Sequence, residues 1–271
     1  MVLAALALCP GAQSAAQKVP HFDHVVVVVL ENKQRADVLG NADAPAFNAF
    51  ARGGAVLSGY RGVTHPSLPN YLALVSGSTH GIASDCTSCT VAGRSLADTL
   101  EAQGLSWKAY AEGLPAPGWT GPSRGRYAKK HVPFLYFRSV LASAARLRRV
   151  VPLSQLARDL AARRLPTLMF VTPDLCHDMH DCSVKTGDAW LRRSLPPLLK
   201  LPGTVVFVVF DESDSFDPGV PALALGPFVR PHSRFRPAIS HYGLLRTIED
   251  GLGLPRLGSS VRAGPVTGIW R

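Results

Sequence analysis

Acidic residues are in short supply. The 271-residue chain carries 19 Asp and Glu against 29 Lys and Arg, a formal net charge of +10. This excludes an acidic solvating tail and favours an anionic partner: a nucleic acid, an anionic surface or an anionic substrate. Nucleic acid is not expected. The basic residues are scattered, the densest cluster being Arg146, Arg148 and Arg149, with no zinc-finger spacing, RNP-like motif or basic arm. Long hydrophobic runs are missing too, so no segment is expected to span a bilayer. There is no repeat or low-complexity tract. With 46% hydrophobic residues a packed core is expected instead of disorder.

Cysteine is scarce, at five residues. Cys9 falls within residues 1–16, which read as a signal peptide. They hold an apolar run over residues 2–9 and small residues Ser14, Ala15 and Ala16 before a cleavage point, though a basic n-region is lacking. Residues 17–271 then form a single domain, placed in the periplasm or secreted. The other four cysteines come as two local pairs. An even count in an exported chain favours disulfides, with Cys86–Cys89 and Cys176–Cys182 as the expected pairing. A redox or zinc role for Cys86-x-x-Cys89 ranks lower, because DCTSCT lacks a strand-then-helix context.

What is abundant is the alternation of apolar runs with helix-like stretches. Strands are expected at His24–Leu30, Ser106–Ala111, Thr167–Val171, Thr204–Phe210 and Ala222–Leu225. Helices are expected at Ala44–Ala51, Asn70–Val75, Ser95–Gln103, Leu153–Arg163, Ala189–Leu199 and Tyr242–Leu252. Apolar runs without alternation belong to strands buried on both faces. The fold class is therefore α/β, a three-layer α/β/α sandwich with a mostly parallel central sheet. Residues 113–137, rich in Gly, Pro and aromatics, read as a long excursion lying over the site.

The strands end on polar residues. HVVVVVL runs into Glu31-Asn32, WKAYA into Glu112, TLMFVTP into Asp174, Asp178, His180 and Asp181, and TVVFVVF into Asp211-Glu212. Ligands of open α/β sheets bind at the carboxyl ends of the strands, so these groups should converge on one edge. Gathered there, they would repel one another unless a cation neutralised them. That implies a divalent metal. Glu31, Asn32, Asp211 and Glu212 are its first candidate ligands, although each pair would also serve as a polar turn. In the crowded PDLCHDMHDCSVKTGD segment only some of Asp174, His177, Asp178, His180, Asp181 and Asp188 can be ligands. The remainder should orient them. Lys130-His131 is either an exposed basic pair or a phosphate contact. His241, before a helix, is either a cap or a ligand.

Ser67 sits in THPSLPNYLALVSG, between Pro66 and Pro69, with a helix expected to start near Leu68–Asn70. A Ser at a helix entrance is commonly an N-cap. The same place favours a bound anion. A hydroxyl there, next to acidic groups holding a metal, can become a nucleophile.

Six blocks in order, ENKQRADVLG, HPSLPNYLALVSG, YAKKHVPFLYF, PDLCHDMHDCSVKTGDAWL, VVFDESD and SHYGLLRTIEDGLG, make the chain resemble one phosphoesterase family. It is the family of bacterial and fungal acid phosphatases and bacterial-type phospholipases C, within the alkaline phosphatase superfamily. The resemblance runs from about His24 to Leu252. It implies an alkaline phosphatase-like fold with Ser67 as nucleophile and Asn70 as a phosphate-oxygen donor. It further implies metal ligands at Glu31, Asn32, Asp211, Glu212 and His241. From the residues themselves, Asp178 joins them as a candidate ligand and Lys130, His131 and His180 are the candidate substrate contacts. The oxygen-rich ligand set suits calcium, magnesium or manganese better than the paired zinc ions of much of the superfamily. His177 stands where the family has Asn. The expected function is a secreted, metal-dependent phosphomonoesterase of the acid phosphatase type, working through a phosphoseryl intermediate on a phosphorylated small molecule or phospholipid. The alternatives are a phospholipase C-type phosphodiesterase and, in another class, a non-catalytic basic exported protein that binds anionic polymers or lipids.

Overall fold

The computed structural model describes residues 18–214 and 219–271. The signal-peptide reading of residues 1–16 lies outside the described residues, as does Asp217 of the DESDSFD stretch.

Among the described residues ten strands follow one another: β1 His24–Leu30, β2 Ala55–Leu57, β3 Tyr60–Arg61, β4 Trp107–Ala111, β5 Val150–Pro152, β6 Leu168–Thr172, β7 Thr204–Phe210, β8 Ala222–Leu225, β9 Ser233–Phe235 and β10 Ile239–Ser240. Eight form the central sheet in the order β5-β4-β6-β1-β7-β8-β2-β9. Only β8 runs antiparallel to its neighbours, and every other pairing in this sheet is parallel. β1 lies at the centre, with Val26 opposite Met169 on one side and Val206 on the other. Every residue of β7, and all of β1 after His24, is buried. Unbroken Val and Phe runs fit strands covered on both faces. Two helix pairs supply cover: Pro45–Gly53 packs on Val184–Leu199, and Ser67–Ser76 packs on His241–Leu252.

All five expected strands are present, within a residue or so of their expected bounds. The five further strands have only two or three residues each, too short to show a period. All six expected helices are present; four run longer than expected, while Leu96–Ala102 and Ser154–Ala161 are shorter than the expected Ser95–Gln103 and Leu153–Arg163. The helix Val184–Leu199 starts five residues before Ala189, capped by Ser183, whose Oγ accepts the Thr186 amide at 3.3 Å. Both expected disulfides, Cys86–Cys89 and Cys176–Cys182, are formed. No helix among the described residues is long and apolar enough to cross a membrane.

One expectation needs correction. The 113–137 segment does not simply lie over the site. Its Gly/Pro part, 113–126, is mostly exposed, but from Tyr127 to Phe137 every residue except Lys130 is buried. The aromatic residues explain this: Phe134 stacks on Trp107 of β4 at 4.7 Å, and such rings stabilise the fold when removed from water. Two short 3-10 turns, Lys129–His131 and Pro133–Tyr136, result, and the first carries Lys130 and His131 into the molecule.

Candidate active site

Parallel strands point their carboxyl ends to one edge, and the chain there is tied by backbone bonds. The Glu31 amide donates to the Asp178 carbonyl at 2.8 Å, and the Asp211 amide donates to the Leu30 carbonyl at 3.0 Å. Glu31 after β1, Asp211 and Glu212 after β7, and Asp178 in the loop after β6 are thereby brought together. All four are buried. The Cys176–Cys182 bridge closes the loop that carries Asp178 inward.

Ser67 reaches the same edge on the first residue of its helix. The entrance is set by a cis peptide between His65 and Pro66, with Pro66 as the N-cap. Ser67 is therefore not itself the cap. All ten residues of the helix are buried. The Ser67 hydroxyl lies 3.1 Å from Glu31 Oε2 and 3.4 Å from Glu212 Oε1, and can donate to one of them at a time. Lys130 Nζ donates to the same Oγ at 3.3 Å. Carboxylates that can take the hydroxyl's proton and an ammonium that can steady the oxygen are what a serine needs to act as a nucleophile.

The carboxyl cluster lacks compensation. Burial, reinforced for Glu31 by the charges of Asp211 and Asp178, pushes the Glu31 carboxyl well above its ordinary range. Burial also raises Asp178 and Asp211 to about 7, and burial with the Asp211 and Asp85 charges raises Glu212 to about 8. Among the described residues Asp211 Oδ2 is buried without a hydrogen-bond partner, and Asp178 Oδ2 has only His131 Nδ1 3.3 Å away, a ring that burial keeps uncharged and that makes no hydrogen bond to it. Buried carboxylate oxygens with nothing to bind are costly, and a cation among them removes that cost. The residues present thus fit a hard divalent ion with oxygen ligands.

Lys130 is the nearest positive charge. Burial lowers its pKa, but the hydrogen bond to Asp85 and the charges of Glu31, Asp85 and Asp211 outweigh that and raise it, so it stays protonated. Its Nζ donates to Asp85 Oδ2 at 2.9 Å and stands 3.4 Å from His180 Nε2. His180 is half-buried, with Nδ1 2.6 Å from Asp181 Oδ1.

Several expected site residues are placed differently. His131 is only 2% exposed, stacked on Tyr71, with Nε2 3.3 Å from Glu31 Oε1 and Nδ1 3.3 Å from Asp178 Oδ2. Both ring nitrogens thus face the carboxylates of Glu31 and Asp178, so the ring supports the cluster instead of offering a nitrogen to substrate. Asn70 is saturated. Its Oδ1 accepts the amides of Val63 and Thr64 at 2.8 and 3.1 Å, and its Nδ2 donates to Thr64 O, Pro66 O and Glu212 Oε2. It holds the helix entrance and Glu212 in place and has no donor left over for a phosphate oxygen. His241 is likewise turned away from the cluster. Its Nε2 lies 2.6 Å from the Asp211 backbone oxygen, which can only accept, so Nε2 carries the proton and Nδ1 accepts from the Tyr60 hydroxyl at 2.8 Å. Burial pushes this imidazole down to about 4, so it is neutral. It anchors the Asp211 backbone and has no free nitrogen for a metal. Asn32 does stand at the cluster, in a left-handed conformation (φ 49°), with its amide donating to Asp211 Oδ1 at 3.3 Å. Asp188 leaves the crowd entirely and caps the helix Pro45–Gly53.

Two contributors were not anticipated. Tyr71 donates to Glu31 Oε1 at 2.5 Å, and Asp85 binds Lys130 and the Leu68 amide. Next door, Glu112, Asp174 and His177 have ligand atoms within 4.8 Å of one another. These groups already have partners. His177 Nδ1 lies 3.0 Å from Glu112 Oε2, and Asp174 Oδ1 accepts the Cys176 and His177 amides. The need for a cation is therefore weaker there than at Asp178 and Asp211.

Comparison with known proteins gives concordant results. The Phosphoesterase family profile matches residues 38–255. A phosphatidylinositol-3-phosphatase of Mycobacterium tuberculosis is 39% identical over 268 residues, covering 96% of this chain and 87% of that protein. An acid phosphatase of Aspergillus fumigatus is 30% identical over 254 residues, and the match takes in 88% of this chain but only 56% of that protein. Among solved structures, a protein in the alkaline phosphatase superfamily from Vibrio parahaemolyticus superposes with a TM-score of 0.62 at 12% identity, covering 93% of this chain and 72% of that one. The phosphonate monoester hydrolase of Agrobacterium radiobacter superposes with a TM-score of 0.61 at 14% identity, covering 90% and 76%. At such identities these structures share the fold.

Proposed function

Since the chain belongs to the Phosphoesterase family, we propose that it is a metal-dependent phosphomonoesterase of the acid phosphatase type that works through a phosphoseryl intermediate on Ser67. The observation that carries this reading is the setting of the Ser67 hydroxyl, between Glu31, Glu212 and Lys130 at a helix entrance. Relatives named acid phosphatase and phosphatidylinositol-3-phosphatase support a phosphorylated small molecule or a phospholipid headgroup as substrate. Two disulfides support action outside the cytoplasm.

Glu31, Asp178, Asp211 and Glu212, with Asn32 at their edge, would hold the divalent ion. Their all-oxygen character suits calcium, magnesium or manganese. When bound, such an ion supplies the positive charge the cluster lacks and polarises a phosphoryl oxygen. The protein's own groups do the rest. Ser67 Oγ attacks phosphorus as its proton passes to a carboxylate oxygen, with Glu31 Oε2 the nearer at 3.1 Å. The bond from phosphorus to the ester oxygen breaks on the opposite side. Lys130 Nζ holds the charge that builds on the phosphoryl group. His180, braced by Asp181, hands a proton to the departing alcohol. Water then attacks the phosphoserine, releasing inorganic phosphate and restoring the hydroxyl. Tyr71, Asn70 and His241 keep Glu31, Glu212 and Asp211 in position.

The test is turnover of a chromogenic phosphomonoester and of the matching phosphodiester by metal-loaded enzyme and by Ser67→Ala. The monoester should be preferred. Ser67→Ala should lose at least ~10³-fold in kcat with bound metal unchanged. A variant that keeps most of its activity would overturn the assignment.

A further inference from the structure

The mechanism above leaves Asp85 without a role, yet its carboxylate occupies the site. Its Oδ1 accepts the amide of Leu68, the residue after the nucleophile, at 2.9 Å. Its Oδ2 accepts Lys130 Nζ at 2.9 Å, and the same Nζ stands 3.3 Å from Ser67 Oγ. A backbone amide at the open end of a ten-residue helix and a charged lysine are the donors a phosphoryl group requires. Asp85 thus lays one oxygen on each of two donors that a phosphoryl group on Ser67 would use.

The way Asp85 is delivered separates it from an ordinary helix cap. Pro66, the residue before the helix, has no side-chain acceptor for the first amides, and Asp85, unlike the remote cap Asp188, gives only one oxygen to the helix and the other to Lys130. Asp85 comes from 17 residues further along than Leu68, on a segment braced from behind. The Cys86–Cys89 disulfide closes the turn after it. Lys129 Nζ donates to the Thr87 carbonyl at 2.7 Å and rests over the Tyr136 ring. The Asp85 side chain is 30% exposed, so it can swing into water without crossing packed protein.

We propose that Asp85 is a specificity-determining residue: an internal anion that competes with the phosphoryl group for the Leu68 amide and Lys130, and so weakens binding of doubly charged phosphates, inorganic phosphate above all. The proposal rests on the reading of Ser67 as nucleophile. A phosphoryl group that enters must release both donors from Asp85. The displaced carboxylate stays tethered close by and repels each further negative charge. The result is faster loss of the doubly charged phosphate product, and among monoesters a preference for the singly charged form that predominates at acid pH.

The experiment compares wild type with Asp85→Asn, each loaded with metal. The readouts are kcat and KM for a chromogenic phosphomonoester, the inhibition constant of inorganic phosphate, and calorimetric titration with inorganic phosphate. Asn keeps an oxygen for the Leu68 amide but not the charge. The expected result is a fall of about tenfold in the phosphate inhibition constant and in KM, the size expected for removing one nearby like charge in a half-solvated site. A merely structural role would instead lower kcat or the melting temperature and leave phosphate affinity unchanged or weaker, and that result overturns the proposal. Should Asp85→Asn fail to fold, Cys86→Ser/Cys89→Ser loosens the tether and should move phosphate affinity in the same direction. An unchanged or weaker affinity there overturns the proposal equally. Calorimetric titration needs no turnover, so loss of the Ser67 reading and loss of the Asp85 proposal are separate outcomes.

Discussion

Replacing Asp188 by Ala is expected to weaken the fold without touching the chemistry. The residue belongs to the acidic stretch that follows β6, yet its carboxylate accepts the amides of Phe47 and Ala46 at 2.7 and 3.0 Å. These amides lie in the first turn of the helix Pro45–Gly53, where no earlier carbonyl can serve them. Asp188 is only 3% exposed, so water cannot replace it. A hydrogen bond to a charged acceptor contributes about 1.5–3 kcal/mol, and the helix dipole adds a few tenths. With both bonds lost and two amides stranded, the cost should be about 3–5 kcal/mol, a large share of the ~5–15 kcal/mol that holds a domain together. For a chain of this size that lowers Tm by roughly 6–10 °C. Asp188→Asn, which retains one acceptor, should fall between. The assay is thermal and urea unfolding, with phosphatase activity measured per folded molecule at a temperature where the variant is intact. A loss under ~1 kcal/mol would refute the capping argument. Lost activity with unchanged Tm would return Asp188 to the site.

Two further outcomes are expected. His180→Gln should depend on the leaving group: hydrolysis of an alkyl phosphate should fall about 10²-fold or more while a nitrophenyl ester, whose leaving group needs no proton, loses little. Equal losses on both esters would remove His180 from the role of acid. Glu249 is buried against the Ser260 hydroxyl and the Leu257 amide, and burial raises its carboxyl to about 7. The native state therefore holds a proton that the unfolded chain releases near pH ~4.3, so stability falls as pH rises from there through about 7. Glu249→Gln should remove that slope, so between pH 5 and 8 wild type should lose unfolding free energy relative to the variant, on the order of 2–3 kcal/mol. Parallel curves would contradict it.

The strand ends were legible because the chemistry of the sheet is local: an unbroken run such as TVVFVVF must be buried, and the first polar residue after it must emerge at the edge. Glu31, Asp211 and Glu212 follow from that alone. What sequence could not supply was the partner of each polar group. His241 looks available until Tyr60, 181 residues away, takes one ring nitrogen and the Asp211 carbonyl takes the other. Asn70 looks like a phosphate donor until the turn at His65–Pro66 brings Val63 and Thr64 back onto its side chain. Tyr71 stands in an apolar run and reads as core, which it is, apart from the hydroxyl that meets Glu31. Asp85 follows no strand and reaches the site only because its disulfide-closed segment folds back against the helix entrance. Short strands such as β3 and β10 were invisible because two residues carry no period.

Every step proposed for this site depends on Ser67 Oγ forming a bond to phosphorus. The most direct measurement is rapid acid quench of the metal-loaded enzyme with a phosphomonoester at low pH, followed by mass analysis of the peptide around Ser67. The account predicts a phosphate on Ser67 at a stoichiometry that rises with substrate and is absent from Ser67→Ala. Full turnover with no phosphate on Ser67 at any quench time, and with Ser67→Ala still active, would contradict it.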